Sequence, residues 1–279
     1  MLSKIFLKKN KKRVIIHAGM TKTGSTSLQF SLYNNKEALA EEGILYPDTQ
    51  GSNNHYFLIE GKKNIGTVIS EIKNSPHNIA IISCELFYNL KDERVKSIYD
   101  ALNKYFDLEV LIFIRNHIEW LESIYGQHVG QYEHQYMGDI DDFILDFNEH
   151  LNFYSIVEKL KEEVKHVHVI GYDYSKAYEG IIQSFFTKLS FPKLSINLGV
   201  ESIKRKANPS FCFTSLFIMK LMNKEGLIKS RDDYIKISRY LKFNSNPCQK
   251  TSFIDNDKIT LNISHSYIAK LISKLILAK

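Results

Sequence analysis

The chain has 279 residues and a net charge of +6, from 37 Lys and Arg against 31 Asp and Glu, which is long enough for one large domain with a full core. Its three cysteines exclude a disulfide framework, no Cys/His spacing suggests zinc, and no apolar run reaches the ~18 residues of a membrane span. The positive charge is too diffuse for nucleic-acid binding and comes with no reader motif; it suits anionic ligands.

Residues 1–12 form a basic tail whose apolar part is too short for a signal peptide. Its charges suit anionic lipid, so a cytoplasmic location is expected, with peripheral contact at the inner membrane face left open. From 13 to 279 no repeat, low-complexity tract or break in composition marks a boundary, so a single domain is expected, with 226–279 as its helical C-terminal part. Apolar runs at 13–17, 79–83, 110–114 and 166–171 read as strands, those at 79–83 and 110–114 as buried ones. Helical patterns cover 25–41, 93–105, 117–128, 151–164, 176–189 and 210–224. The alternation predicts an α/β fold in three layers: a mostly parallel central sheet of four or five strands flanked by helices.

The first strand runs into Gly19-Met-Thr-Lys-Thr-Gly24 and then Ser25, Thr26 and Ser27. The two glycines have the spacing of the nucleotide-binding G-x-x-x-x-G-K-[ST] loop, but Ser25 stands where the lysine of that loop should be. The basic residue lies inside the loop instead, as Lys22. Such a turn aims backbone N–H groups and a helix dipole at one anion. Thr23, Gly24 and the three hydroxyl residues after them are the cradle, and Lys22 supplies a mobile ammonium for charge on a bridging or leaving oxygen.

Further along, Gly51-Ser-Asn-Asn-His55-Tyr is a polar loop before the second strand candidate, and the run 79–83 ends in Ser83-Cys-Glu85. A carboxylate at a strand's carboxyl end stands where doubly wound sheets assemble their sites. The run 110–114 ends in Arg115, and the helix after it carries Ser123 about two turns in. A guanidinium and a hydroxyl so placed can converge on one phosphate. Lys204, Arg205 and Lys206 form a basic cluster, and Ser264–Lys279 is amphipathic and lysine-bearing.

Lys22-Thr-Gly-Ser-Thr-Ser-Leu-Gln29 resembles the 5′-phosphosulfate loop of sulfotransferases that use 3′-phosphoadenosine 5′-phosphosulfate (PAPS). The likeness is greatest to their bacterial and carbohydrate-modifying branches. It implies a P-loop-like fold, PAPS as sulfate donor with PAP as product, and no required metal. It implies that Lys22 meets the oxygen bridging phosphate and sulfate, and that Arg115 and Ser123 hold the 3′-phosphate. Ser83-Cys84-Glu85 is similar to a Ser-Ser-Glu segment that carries the base in some carbohydrate sulfotransferases, with Cys84 a departure. Other members use a histidine, so the base is Glu85 or His55. His17 is expected to shape the loop.

The resemblance extends through Leu151-Asn-Phe-Tyr, His168-Val-Ile-Gly-Tyr-Asp-Tyr and Lys206-Ala-Asn-Pro-Ser210, that is, over most of 13–225. The glycine-and-lysine motif that cytosolic members place over the nucleotide is absent; Arg205 or Lys206 is the candidate for 3′-phosphate contact there. The expected acceptor is a carbohydrate or glycolipid hydroxyl. Two other classes stay open: a P-loop kinase or NTPase, and a non-catalytic binding module.

Overall fold

The structure is a computed structural model and describes residues 11–178, 180–191 and 211–244. Among these the chain divides into two compact units, one from the segments up to Asn116 and from Asn152, the other from His117–Leu151 and the segment after residue 205. No helix among the described residues is long and apolar enough to cross a membrane.

The first unit is an α/β sandwich. Its elements are β1 (Arg13–His17), α1 (Ser25–Asn34), α2 (Lys36–Glu41), β2 (Ile44–Leu45), α3 (Phe57–Glu60), α4 (Ile65–Asn74), β3 (Ile79–Ser83), α5 (Glu93–Asn103) and β4 (Asp107–Ile114). After the second unit's first segment, which holds α6 (His117–Gly130), α7 (Ile140–Asp146) and a 3₁₀ turn, α8 (Phe153–Glu163), β5 (His166–Gly171), α9 (Tyr172–Tyr178) and α10 (Ile181–Lys188) complete it. All five strands are parallel, in the order β2-β3-β1-β4-β5.

Both sheet faces are covered, as the continuous apolar runs require. Ile15, Ile81, Leu111 and Phe113 pack against Leu28 and Leu32 of α1, Leu39 of α2, and Phe185 and Phe186 of α10. Their neighbours Val14, Ile16, Ala80, Ile82, Val110 and Ile112 are equally buried on the other face. Right-handed crossovers explain the division. The chain moves one way across the sheet from β1 through α1 to β2, and the opposite way from β3 through α5 to β4. The two helix sets must therefore lie on opposite faces.

Local chemistry sets the breaks. The helix expected over 25–41 is two helices, because the Asn35 side chain donates to the Ser31 carbonyl at 2.7 Å and its backbone leaves helical geometry. The helix expected over 176–189 starts instead at Tyr172 and resumes after Gly180, whose φ is 81°. β4 begins at Asp107, earlier than the apolar run suggests. Glu109 interrupts that run because it pairs with Arg13 at 2.5 Å and with His168 at 3.0 Å.

One relationship positions the site. β1 and β4 are neighbours, yet their onward connections leave toward opposite edges of the sheet. Such a switch point opens a crevice at the strands' carboxyl ends. The loop after His17 and the residue after Ile114 both lie there. His17 is in register with Leu111, so β4 projects past the end of β1 by Ile112–Ile114.

The second unit is helical: α6, α7 and the helices Phe213–Lys224 and Arg231–Asn244. The carboxyl end of α6 has its orphan carbonyls met by side chains. Asn223 Nδ2 donates to the Val129 carbonyl at 2.9 Å and Ser238 Oγ to that of Gly130 at 2.9 Å. Tyr125, Phe143 and Phe147 form an aromatic cluster beside His128.

Candidate functional site

The loop between β1 and α1 is shaped by two glycines and one strained lysine. At Gly24, φ is 78°, and a Cβ there would lie 2.2 Å from Ile181 Cδ1. That φ favours glycine, and a larger residue would also have to displace the Ile181 side chain. At Gly19 a Cβ would come within 2.7 Å of His17 Nε2 and 2.6 Å of Ser25 Oγ. Lys22 itself has φ 65°, the left-handed region that β-carbon-bearing residues seldom adopt.

The loop's hydroxyl residues divide into two kinds. Thr23 is buried and its Oγ1 donates to the Met20 carbonyl at 2.5 Å, closing the turn. Ser25 is also buried, with Oγ 3.4 Å from the same carbonyl. Thr26 and Ser27 are exposed. The Ser27 and Leu28 N–H groups turn back to the Gly24 carbonyl, which leaves those of Ser25 and Thr26 outside the helix's own bonding. No acidic residue stands in the first turn of α1. With Lys22 beside it, this helix end suits an anion.

The segment after β3 is clamped from both sides. His17 Nδ1 lies 2.7 Å from Ser83 Oγ, and the Cys84 N–H donates to the His17 carbonyl at 3.2 Å. His55 pairs with Ser83 twice: its N–H donates to the Ser83 carbonyl at 2.8 Å, and its Nδ1 accepts from the Ser83 N–H at 3.1 Å. Both imidazoles are fully buried, and burial depresses each pKa to about 3. His55 is therefore neutral, with Nδ1 occupied and its proton on Nε2. Its ring lone pair is taken by the Ser83 N–H. Next in the chain, burial pushes the Cys84 thiol up to about 12.

Glu85 follows, half-buried, at the end of this clamped segment. Burial raises its carboxyl above the usual carboxylate range, and the Lys22 ammonium pulls it partly back. The loop lysine and the strand-end carboxylate thus sense each other's charge. Arg115, at the end of β4, stacks its guanidinium 5.2 Å from the Tyr172 ring centroid. Its Nε is 3.8 Å from Asp173 Oδ1, and its Nη1 donates to the Lys22 carbonyl at 3.4 Å. Asp173 also accepts from the Asn116 N–H at 2.8 Å. The first turn of α9 therefore fixes Arg115 against the loop.

A cleft of about 340 Å³ opens beside the loop, lined by Thr26, Gln29, Asn53, Asn54, Tyr56, Cys84, Glu85 and Leu86. Thr26 and Gln29 share one face of α1 at i,i+3 spacing. The structure thus brings Lys22, Thr23, Gly24, Ser25, Thr26, Ser27, Glu85 and Arg115 to one end of the sheet. His55 supports that end from beneath. Ser123 is half-buried on α6, in the second unit. Arg205 and the rest of its basic cluster lie outside the described residues.

The sequence reading does not single out Tyr172, Asp173, Gln29, Asn53 or Asn54 as site residues. The signal for Tyr172 and Asp173 is their place directly after the carboxyl end of β5. For Gln29 it is the helical spacing from Thr26.

Comparison with known proteins finds no matching family model and no match among curated proteins. Among solved structures the chain is similar to mouse sulfotransferase SULT7A1 complexed with PAP, at 14% identity and a TM-score of 0.38, covering 95% of this chain and 82% of that one.

Proposed function

We propose that this chain is a PAPS-dependent sulfotransferase that transfers a sulfuryl group to a carbohydrate hydroxyl, of a surface polysaccharide or glycolipid, in the cytoplasm or at the inner membrane face. The observation that carries the reading is the coupling of Lys22 to Glu85. A cation inside the anion-binding loop and a carboxylate of raised pKa lining the adjoining cleft stand at one end of the sheet.

Bound PAPS would supply the sulfuryl group. The backbone from Thr23 to Ser27 and the Thr26 and Ser27 hydroxyls would hold the 5′-phosphosulfate at the start of α1. Arg115 would meet the 3′-phosphate, its second charge after Asp173; Ser123 joins it in this reading on the sequence pattern alone, as Arg205 does. In the transfer, a bond forms from the acceptor oxygen to sulfur as the sulfur–oxygen bond to phosphate breaks. Glu85 takes the acceptor's proton, and Lys22 neutralises the charge left on the departing phosphate oxygen. Positioning and electrostatics are the main source of rate in such in-line transfers. His55 and His17 would serve as supports for the Ser83–Glu85 segment, with the base role falling to Glu85.

The test is calorimetry with PAP and with ATP–Mg²⁺, together with transfer of labelled sulfate from PAPS to a glycan panel. PAP binding without added metal and labelled glycan are expected. Tight ATP–Mg²⁺ binding with no PAP binding overturns the reading in favour of a kinase or NTPase; PAP binding with no transfer to any glycan favours a binding module.

A further inference from the structure

Gln29 lines the cleft beside the loop, and the fold leaves one of its buried polar atoms unsatisfied. Gln29 is only 2% exposed, and its Nε2 has no hydrogen-bond partner among the described residues. A buried amide nitrogen without a partner forfeits the hydrogen bond it had in water, so its retention needs a cause.

The orientation of that amide is fixed by a relay. The Tyr56 N–H donates to Asn54 Oδ1 at 3.0 Å, which leaves Asn54 Nδ2 as the donor to Gln29 Oε1 at 3.3 Å. With Oε1 so engaged, the group left over on Gln29 is its N–H donor. It requires an acceptor atom, and Gln29 is on the wall of the cleft that also holds Glu85. The remaining wall is mixed: the Thr26 hydroxyl, the Asn53 and Asn54 amides and Tyr56 bring hydrogen-bonding groups, and Cys84 and Leu86 bring apolar surface. A flat apolar ligand would strand these groups, whereas a polyol would meet them. The volume falls at the small end of ordinary ligand pockets, about 300–1,000 Å³, which suits one sugar-sized unit.

We infer that Gln29 is the acceptor-recognising donor of this site. Its Nε2 takes an oxygen of a polyhydroxylated acceptor next to the hydroxyl presented to Glu85, and Asn54 and Tyr56 hold it in that orientation. This rests on the sulfotransferase reading for the word acceptor, but not for the binding of a polyol.

Two variants separate donor chemistry from packing. Gln29→Glu keeps the shape and the Asn54 hydrogen bond but replaces the donor by an acceptor; Gln29→Leu removes both. With methyl glucoside, galactoside and N-acetylglucosaminide as probes, each variant should raise the acceptor KM about tenfold, with the KM for PAPS and the affinity for PAP unchanged. An unchanged glycoside KM in Gln29→Glu overturns the inference, as does a parallel loss of PAP affinity, which would put Gln29 in the donor site. Should the wild-type chain bind no PAP, the function proposed above falls and the inference is decided separately. The side-chain amide resonance of Gln29, assigned by its absence in Gln29→Glu, should shift when the glycosides are added. No shift at any glycoside concentration overturns it.

Discussion

The Arg115 guanidinium donates to the carbonyl oxygen of Lys22, 3.4 Å away, so the residue ending β4 supports the loop that follows β1. Under the proposed function Arg115 therefore has two ways to influence the nucleotide: directly through a phosphate, or indirectly through the loop. PAP and 5′-AMP separate them, since only PAP carries a 3′-phosphate. Arg115→Ala should weaken PAP about 10- to 150-fold, the value of a charge-assisted hydrogen bond, and leave 5′-AMP nearly unchanged. Equal losses for both, measured by calorimetry, would assign Arg115 to loop support and remove it from the 3′-phosphate.

Lys22 sits at φ 65°, a conformation costing roughly 1–2 kcal/mol for a residue with a Cβ. Such strain often sits at functional sites, where the surrounding structure holds it in place. Lys22→Gly relieves the strain and Lys22→Ala does not. Both should abolish sulfate transfer, while urea denaturation should find Lys22→Gly more stable than Lys22→Ala by about 1 kcal/mol. Equal stability of the two variants would mean that the loop is not strained in solution.

Glu85 has its carboxyl raised by burial and partly restored by Lys22. A base must be ionised to act, so the acidic limb of kcat/KM should lie above the ordinary carboxylate range and disappear with activity in Glu85→Gln. Replacing Lys22 by Met removes the restoring charge, so the Glu85 pKa should rise further, as read by the pH dependence of its side-chain carbon resonance. A pKa that falls or stays fixed in Lys22→Met would contradict the coupling.

The strands 13–17 and 79–83 stand where the apolar runs put them, because a strand buried on both faces leaves little room for polar residues; 166–171 stands where its run put it too, although it is an edge strand and only half-buried. β2 was not legible: Ile44–Leu45 is too short for any periodicity and is a strand only because β3 pairs with it. α4 was missed although Val68, Ile69 and Ile72 line one face and Asn64 caps it through the Gly66 N–H. Lys22 and Glu85 could be picked out because a loop motif is contiguous and strand ends are predictable from the runs. The links of Ser83 to His17 and His55, of Arg115 to Asp173, and of Gln29 to Asn54 join residues far apart in sequence, and no local pattern encodes them. His55, one of the two candidate bases in the sequence, is fully buried in the fold with its Nδ1 accepting from the Ser83 N–H.

The two buried histidines carry a pH signature. His17 and His55 are held to a pKa of about 3, against an ordinary value of 6.5. Below pH 6.5 the unfolded chain takes up a proton on each, and the folded chain does not until about pH 3. The unfolded state thus binds more protons across that window, and stability falls as pH falls through it, by up to about 1.4 kcal/mol per pH unit for each histidine. Above pH 7 both states are neutral at these sites and the effect vanishes. Urea midpoints at about pH 7.5, 6 and 5 should therefore drop progressively. In His55→Asn, where Oδ1 can still accept from the Ser83 N–H, the drop between pH 6 and 5 should shrink by about half. An equally steep drop in that variant would show that His55 titrates normally and is not the buried support of the Ser83–Glu85 segment.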